Sequence, residues 1–217
     1  MNSRDHQLAA KDDLVEVLTR GLSQLGIQLG RGQIEMLLRY IDLVVKWNRV
    51  YNLTAIREPS DMVSLHLLDS LSIVPLLNAK SILDVGTGAG LPGIPLAIAM
   101  PGSRVTLLDT SSKRTAFLTQ AISELGLDNV SVVNARVEHW QGGPFDAIVS
   151  RAFSELRDFV EASQHLLAPG GTFAAMKGVR PDAEIAALSR SFSVTRIEAL
   201  KVPGVNAERH LVMIGKA

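Results

Sequence analysis

Apolar residues recur at helical spacing through the opening third of the chain. Leu14, Val17, Leu18, Leu22 and Leu25 form one stripe, and Asp13 with Glu16 has the form of a capping box at its start. Gly26 and Gly30 break this pattern. From Gln33, the set Ile34, Leu37, Leu38, Ile41, Val44 and Val45 predicts a second helix that ends near Trp47. A third helical segment follows Pro59 and carries Met62, Leu65, Leu68 and Leu71. Residues 1–80 therefore predict a helical cap integrated with whatever follows it.

From Ser81 the texture changes to short apolar runs: SILDV, RVTLLD, VSVVNA, FDAIVS, GTFAAMK, FSVTRIEAL and HLVMIGK. Helical patterns lie between them at Ile94–Met100, Lys113–Gly126, Leu156–Leu167 and Asp182–Ser191. This alternation predicts an α/β domain over 81–217, a seven-stranded, mostly parallel sheet wound by helices. Only the short stretch Pro203-Gly204-Val205-Asn206 separates the last two runs. It leaves no room for a helix, so the sheet should end in an antiparallel hairpin.

Composition narrows the class. The chain has 217 residues, of which 47% are hydrophobic, enough for a sizeable core. It has no cysteine, which removes disulfides, thiolate metal sites and thiol nucleophiles together. The polar N-terminus shows no secretory pattern, and no apolar run approaches the ~18 residues of a membrane span. A cytoplasmic, soluble protein with no membrane partner is expected. The 22 basic and 22 acidic residues cancel, which argues against coating nucleic acid by bulk charge but leaves room for a local basic patch.

The most informative stretch is ILDVGTGAGLPG, residues 82–93, between the first strand and its helix. Gly88, Gly90 and Gly93 satisfy the dinucleotide spacing G-x-G-x-x-G. Such a loop bares its backbone to a ligand at a helix N-terminus, which suits a pyrophosphate or the carboxylate of an amino acid. No Gly-Lys-Ser/Thr follows, so it is not a P-loop. Asp84, just before the loop, is awkward beside a pyrophosphate but useful beside an ammonium and a sulfonium. Asp109 ends the second strand, placed to accept from ribose hydroxyls. Together with the terminal hairpin, this arrangement looks like the class I, Rossmann-like methyltransferase fold with S-adenosyl-L-methionine as cofactor.

The acceptor is read from other residues. Methyl transfer is an in-line displacement, in which the protein chiefly positions the nucleophile. Carbon-5 of a pyrimidine needs a covalent cysteine, and there is none. Exocyclic amino groups in related enzymes use an Asn/Asp-Pro-Pro-aromatic stretch after the fourth strand, where this chain has Ser150-Arg151-Ala152-Phe153. The N7 of guanine has a lone pair, no proton to lose and no need of a base. A 2′-hydroxyl would want an activating lysine, for which Lys177 is the candidate unless it is simply solvated. Arg151 suits a phosphate, a base carbonyl or the cofactor's carboxylate, but not the methyl itself, since cofactor and methylated N7 are both cationic. Phe153 either stacks on an extruded base or sits in the core. Lys46, Arg49 and Arg57, interleaved with Trp47 and Tyr51, have the character of an RNA surface, the alternative being that the aromatics anchor the cap.

In order from about Val44 to Val212, the segments WNRVYNLTAI, HLLDSL, ILDVGTGAGLPGIPLAI, LLDTSSKRTAFL, ARVE, FDAIVSRAF, MKG and ERHLV resemble the bacterial RsmG family, also called GidB. The resemblance implies methylation of N7 of a guanine in the 530 loop of 16S rRNA, by direct transfer without a covalent enzyme intermediate. By the family's pattern Gly86, Leu91, Val137, Glu138 and Arg151 contact the cofactor, beside the Asp84, Gly88 and Asp109 already singled out. Arg136, Arg151 and Arg209 resemble the family's functional arginines and are candidates for positioning substrate. Lys113 and Arg114 match its basic pair after the second strand. The RNA-contact candidates are thus Lys46, Arg49, Lys113, Arg114, Arg136 and Arg209, and no metal site is expected. The implied partner is 16S rRNA within the small ribosomal subunit or an assembly intermediate, met by a monomer. A partly assembled particle would also reconcile an RNA substrate with zero net charge. Two other readings stay open: a methyltransferase for a small molecule or a ribose hydroxyl, and a non-catalytic cofactor- or RNA-binding module.

Overall fold

A computed structural model describes the backbone of residues 3–151 and 153–217, and the side chains from Asp12 onward. Ala152 of the Ser-Arg-Ala-Phe stretch and the first eleven side chains of the 1–80 segment lie outside the described residues. Helix α1 (Ser3–Gln24) begins well before Asp13, so Asp13 and Glu16 lie within it and form no capping box. The reason is local: Gln7-Leu8-Ala9-Ala10-Lys11 contains no breaker and good helix formers. Leu18 and Leu22 are buried while Val17 is 38% exposed, so the apolar stripe is narrower than its spacing suggests. Helix α2 (Arg31–Tyr51) starts where the Gly30 amide donates to the side chain of Gln33. It continues past Trp47 and stops at Asn52, which takes the left-handed conformation (φ +49°).

The third segment is one helical run with a defect. Helix α3 (Pro59–Met62) passes into a π-helical stretch, Val63–Leu68, and then into α4 (Asp69–Leu71). The strands are β1 (Ser81–Val85), β2 (Arg104–Asp109), β3 (Val130–Asn134), β4 (Phe145–Ser150), β5 (Leu167–Lys177), β6 (Phe192–Ala199) and β7 (His210–Lys216). Among the described residues they form one sheet, ordered β3-β2-β1-β4-β5-β7-β6. β1 to β5 run parallel, and β7 lies antiparallel between β5 and β6. The remaining helices are α5 (Gly93–Ala99), α6 (Ser112–Leu125), α7 (Leu156–Ser163) and α8 (Asp182–Ala186), the last stopping short of the predicted Ser191.

Successive β1 residues point to opposite faces, and each face has its own core. Ile82 belongs to a cluster that holds Leu37, Leu38 and Ile41 of α2, Met62 and Leu67 of the third segment, Leu96 of α5 and Phe117 of α6. Leu83 and Val85 belong to the other, with Ile148, Phe159 of α7 and Phe173. The first helices of the chain therefore share a core with the sheet. β1 pairs with β2 on one side and β4 on the other, so connections leave it in opposite directions and open a crevice at the carboxyl ends of β1 and β4. The glycine loop and Arg151 both lie there.

Candidate active site

The glycine loop is tied to β2 through its own backbone amides. The amides of Gly86 and Thr87 donate to the Leu108 carbonyl at 2.9 and 3.2 Å. Gly86 takes φ +68°, and a Cβ built on it would meet nothing within 4 Å, so its bare backbone faces open space. Gly93 is needed for the opposite reason: a Cβ there would collide with Leu107 and with the Asp84 carboxylate. Asp84 is completely buried. Its Oδ2 accepts from Thr87 Oγ1 (2.6 Å) and the Gly93 amide (2.8 Å), while its Oδ1 is buried without a partner. Burial pushes the Asp84 pKa up to about 6, against the pull of the Thr87 and Gly93 bonds and of the Arg151 charge. Asp84 thus braces the loop, and one unpaired oxygen remains for a cationic group.

Asp109 is a second brace. Its Oδ2 accepts from the Gly88 amide (2.9 Å) and its Oδ1 from the Ser111 amide (2.8 Å), with Arg114 Nη1 at 3.4 Å. A carboxylate has about four lone-pair sites, so capacity remains for hydroxyl donors. Tyr40, on the buried face of α2, donates its hydroxyl to the Ala89 carbonyl at 2.7 Å. Burial pushes its pKa well above the usual phenol range. The sequence reading missed Tyr40, although a phenol set in an apolar stripe between Leu38 and Ile41 signals a buried partner for its hydroxyl. Leu91 is buried in the α2–α5 core, Val137 in the other, and Glu138 stands exposed on the turn after β3.

Beside this loop lies a cavity of about 320 Å³, lined among others by Leu65, His66, Asp69, Arg151, Lys177 and Arg209. Asp69, 3% exposed, forms part of its wall. Asp69 Oδ2 is 3.3 Å from Arg151 Nη1, and Asp69 Oδ1 accepts from Arg209 Nε at 3.0 Å. The π-helical turn explains a further contact. In an α-helix the Asp69 amide would bond to the Leu65 carbonyl; here it bonds to Ser64 and His66, and Leu65 accepts from Arg151 Nη1 at 2.9 Å. His66 Nε2 lies 3.0 Å from Thr54 Oγ1, and its Nδ1 is buried without a partner. Burial, and then the Arg151 charge, bring the His66 pKa down to about 4. Neither Asp69 nor His66 was singled out from sequence, beyond standing in HLLDSL.

Lys177 is neither solvated nor poised as a base. It donates to the carbonyls of Phe153 (3.1 Å) and Ser154 (2.9 Å) and pairs with Glu184 (2.7 Å), fixing the chain after β4. Phe153 packs on Phe159 with ring centroids 5.3 Å apart, against the core. Trp47 also has a structural role, meeting Phe117 of α6 edge-on and stacking on the half-exposed Tyr51. Arg57 ties the end of α2, donating to the Asn48 carbonyl and to Asn52 Oδ1. Lys46 and Arg49 are exposed near that end, Lys113 and Arg114 on the first turn of α6, and Arg136 just before the turn that carries Glu138. The structure therefore brings Arg151 and Arg209 together, and Arg114 to Asp109. It spreads the remaining basic residues over separate elements.

A seven-stranded sheet in this order, with the glycine loop after β1 and an open cavity at the ends of β4 and β5, defines a class I S-adenosylmethionine-dependent methyltransferase. Solved structures agree on the fold: TrmN from Thermus thermophilus superposes with a TM-score of 0.57 at 22% identity, over 78% of this chain and 53% of that one. A SAM dependent methyltransferase from Aquifex aeolicus gives 0.57 at 19% identity, over 75% and 96%. The family is more specific. The model of GidB, rRNA small subunit methyltransferase G, matches residues 33–212, and the chain belongs to that family. Its relatives include the ribosomal RNA small subunit methyltransferase G of Laribacter hongkongensis, 53% identical over 94% of this chain and 99% of that protein. That of Chromobacterium violaceum is 54% identical over 90% and 94%.

Proposed function

We propose that this protein transfers a methyl group to N7 of a guanine in the 530 loop of 16S rRNA, within the small subunit or an assembly intermediate, in the cytoplasm and as a monomer. Residues 1–80 serve as a helical cap on the methyltransferase domain, 81–217. When bound, S-adenosylmethionine supplies an electrophilic methyl on a sulfonium. The residues fit that cofactor: Gly86 and Gly88 offer bare backbone, Asp84 Oδ1 an unpaired acceptor for its ammonium, and Asp109 spare lone pairs for ribose hydroxyls. Leu91, Val137 and Glu138 flank the adenosine, and Arg151 meets the carboxylate and, with Arg136 and Arg209, positions the substrate. Arg209, with Arg136, Lys113, Arg114, Lys46 and Arg49, contacts RNA.

The observation that carries the N7 reading is that the Asp69 carboxylate and Lys177 at the cavity are already engaged, and that burial leaves His66, whose Nδ1 has no partner, a weak base. Both Asp69 oxygens face guanidiniums, Lys177 serves three oxygens, and His66 turns one nitrogen to Thr54 with the other buried. An acceptor with a lone pair and no proton to lose suits such a site, and a ribose hydroxyl does not. The test is transfer of labelled methyl from the cofactor to small-subunit particles, free rRNA and a metabolite pool, mapped by nuclease digestion and mass spectrometry. Label at N7 of one guanine in the 530 loop is expected. Label on ribose, or on no RNA, refutes the proposal.

A further inference from the structure

We infer that Asp69 is a positioning residue that locks Arg151 and Arg209 into one guanidinium pair, so that the two arginines act as a unit on the substrate. The inference rests on the proposed methylation and deepens it. The two arginines come from distant parts of the chain, the end of β4 and the approach to β7, and among the described residues no backbone hydrogen bond joins them. Asp69 supplies a link. Its side chain is 5% exposed, it faces Arg151 with one oxygen and Arg209 with the other, and the two arginine side chains are about a quarter exposed, at 25% and 24%. Carboxylate and arginines all line the same cavity.

The arrangement leaves binding capacity on the arginines. Arg151 spends Nη1 on Leu65 and Asp69, and Arg209 spends Nε on Asp69 and Nη1 on the Glu208 carbonyl. Among the described residues the other guanidinium N–H groups have no protein acceptor, so they are available to substrate oxygens. Two cations against one carboxylate leave the pair net positive, suited to phosphate or base oxygens of an RNA. The π-helical turn is part of the device: with the Asp69 amide bonded to Ser64 and His66, the Leu65 carbonyl gives Arg151 a second anchor beside the carboxylate. Neither anchor touches substrate; both act through the arginines.

The test is a double-mutant cycle on methylation of small-subunit particles. Asp69→Asn keeps the shape, but its amide nitrogen must face one of the two guanidiniums, donor against donor. We expect it to raise KM for the particle about 10- to 100-fold, the effect of one lost charge-assisted bond, with kcat changed far less. Arg209→Ala should have a similar effect, and the double variant should be no worse than Arg209→Ala alone. Additive effects, or a lowered Tm with unchanged KM, overturn the inference. If Asp69→Asn does not fold, Asp69→Ser takes its place in the cycle. If the wild-type protein methylates no particle, it is the proposed substrate that fails. The same cycle is then run with Arg151→Ala on S-adenosylhomocysteine binding by calorimetry, where additivity again overturns the role of Asp69 and non-additivity upholds it.

Discussion

Gly86 combines a left-handed backbone with open space where a Cβ would stand. Its φ of +68° costs an L-residue ~1–2 kcal/mol, more for a β-branched one, and its missing Cβ leaves the loop bare. Gly86→Val is therefore expected to weaken S-adenosylmethionine binding at least ~100-fold, measured by calorimetry. Asp84 and His66 are two buried ionisable groups with opposite linkage. The native pKa of Asp84, about 6, lies above its ordinary 3.8, so its contribution to stability is full below pH 3.8 and is lost as pH rises through 6. The native pKa of His66, about 4, lies below its ordinary 6.5, so its contribution is full above pH 6.5 and is lost as pH falls through 4. The two nearly cancel between pH 4 and 6.5. Relative to wild type, the Tm of Asp84→Asn should rise as pH goes from 4 to 6.5, and that of His66→Gln should fall. Parallel curves would exclude the burial argument. The glycines and both aspartates of the loop were legible as residue types at fixed spacing. That Asp84 and Asp109 spend their oxygens on loop amides was not, because spacing does not say which way a carboxylate turns.

At the scale of elements, the least legible feature is the π-helical turn over Val63–Leu68. Met62, Leu65, Leu68 and Leu71 keep helical spacing, so the pattern reads as plain α-helix, yet the shift in bonding decides what reaches the cavity. Among the described residues, helix α2 reaches the glycine loop through one hydrogen bond, Tyr40 to Ala89, made in a buried interface. Tyr40→Phe keeps the ring and removes that bond, leaving the Ala89 carbonyl without its partner. Its expected effect is a loss of roughly 1–3 kcal/mol, seen as a lower Tm and as cofactor affinity reduced about tenfold. Unchanged affinity at a temperature where both proteins are folded would mean that α2 does not position the loop. Strands were well legible, since buried parallel runs rich in Val, Ile and Leu bounded by Gly and Pro admit few alternatives. The start of α1 was misread because Asp13 and Glu16 imitate a cap that an uninterrupted upstream helix overrides.

Across the whole molecule, the first helices contribute to the core on which the sheet rests. Leu37, Leu38 and Ile41 pack in one cluster with Ile82, Leu96 and Phe117. A fragment holding only residues 81–217 would expose that face to water, and it is expected to stay unfolded by circular dichroism; a cooperative melt would show that the cap is dispensable. The zero net charge and the dispersal of the basic residues over several elements predict few simultaneous phosphate contacts. The affinity for a small-subunit particle should therefore fall only modestly with salt, with a log–log slope far shallower than the roughly −10 of a protein making many phosphate contacts. A slope near that value would refute local arginine recognition. The amino-acid sequence alone determined the α/β order, the terminal hairpin, the glycine loop and the absence of a thiol nucleophile. These depend on local spacing and residue type, which a linear chain carries openly. Tertiary structure alone decided that Asp69, Arg151 and Arg209, from three separate segments, form one cluster, and that Tyr40 reaches the loop. Such contacts depend on how elements far apart in sequence pack, and no local period encodes that.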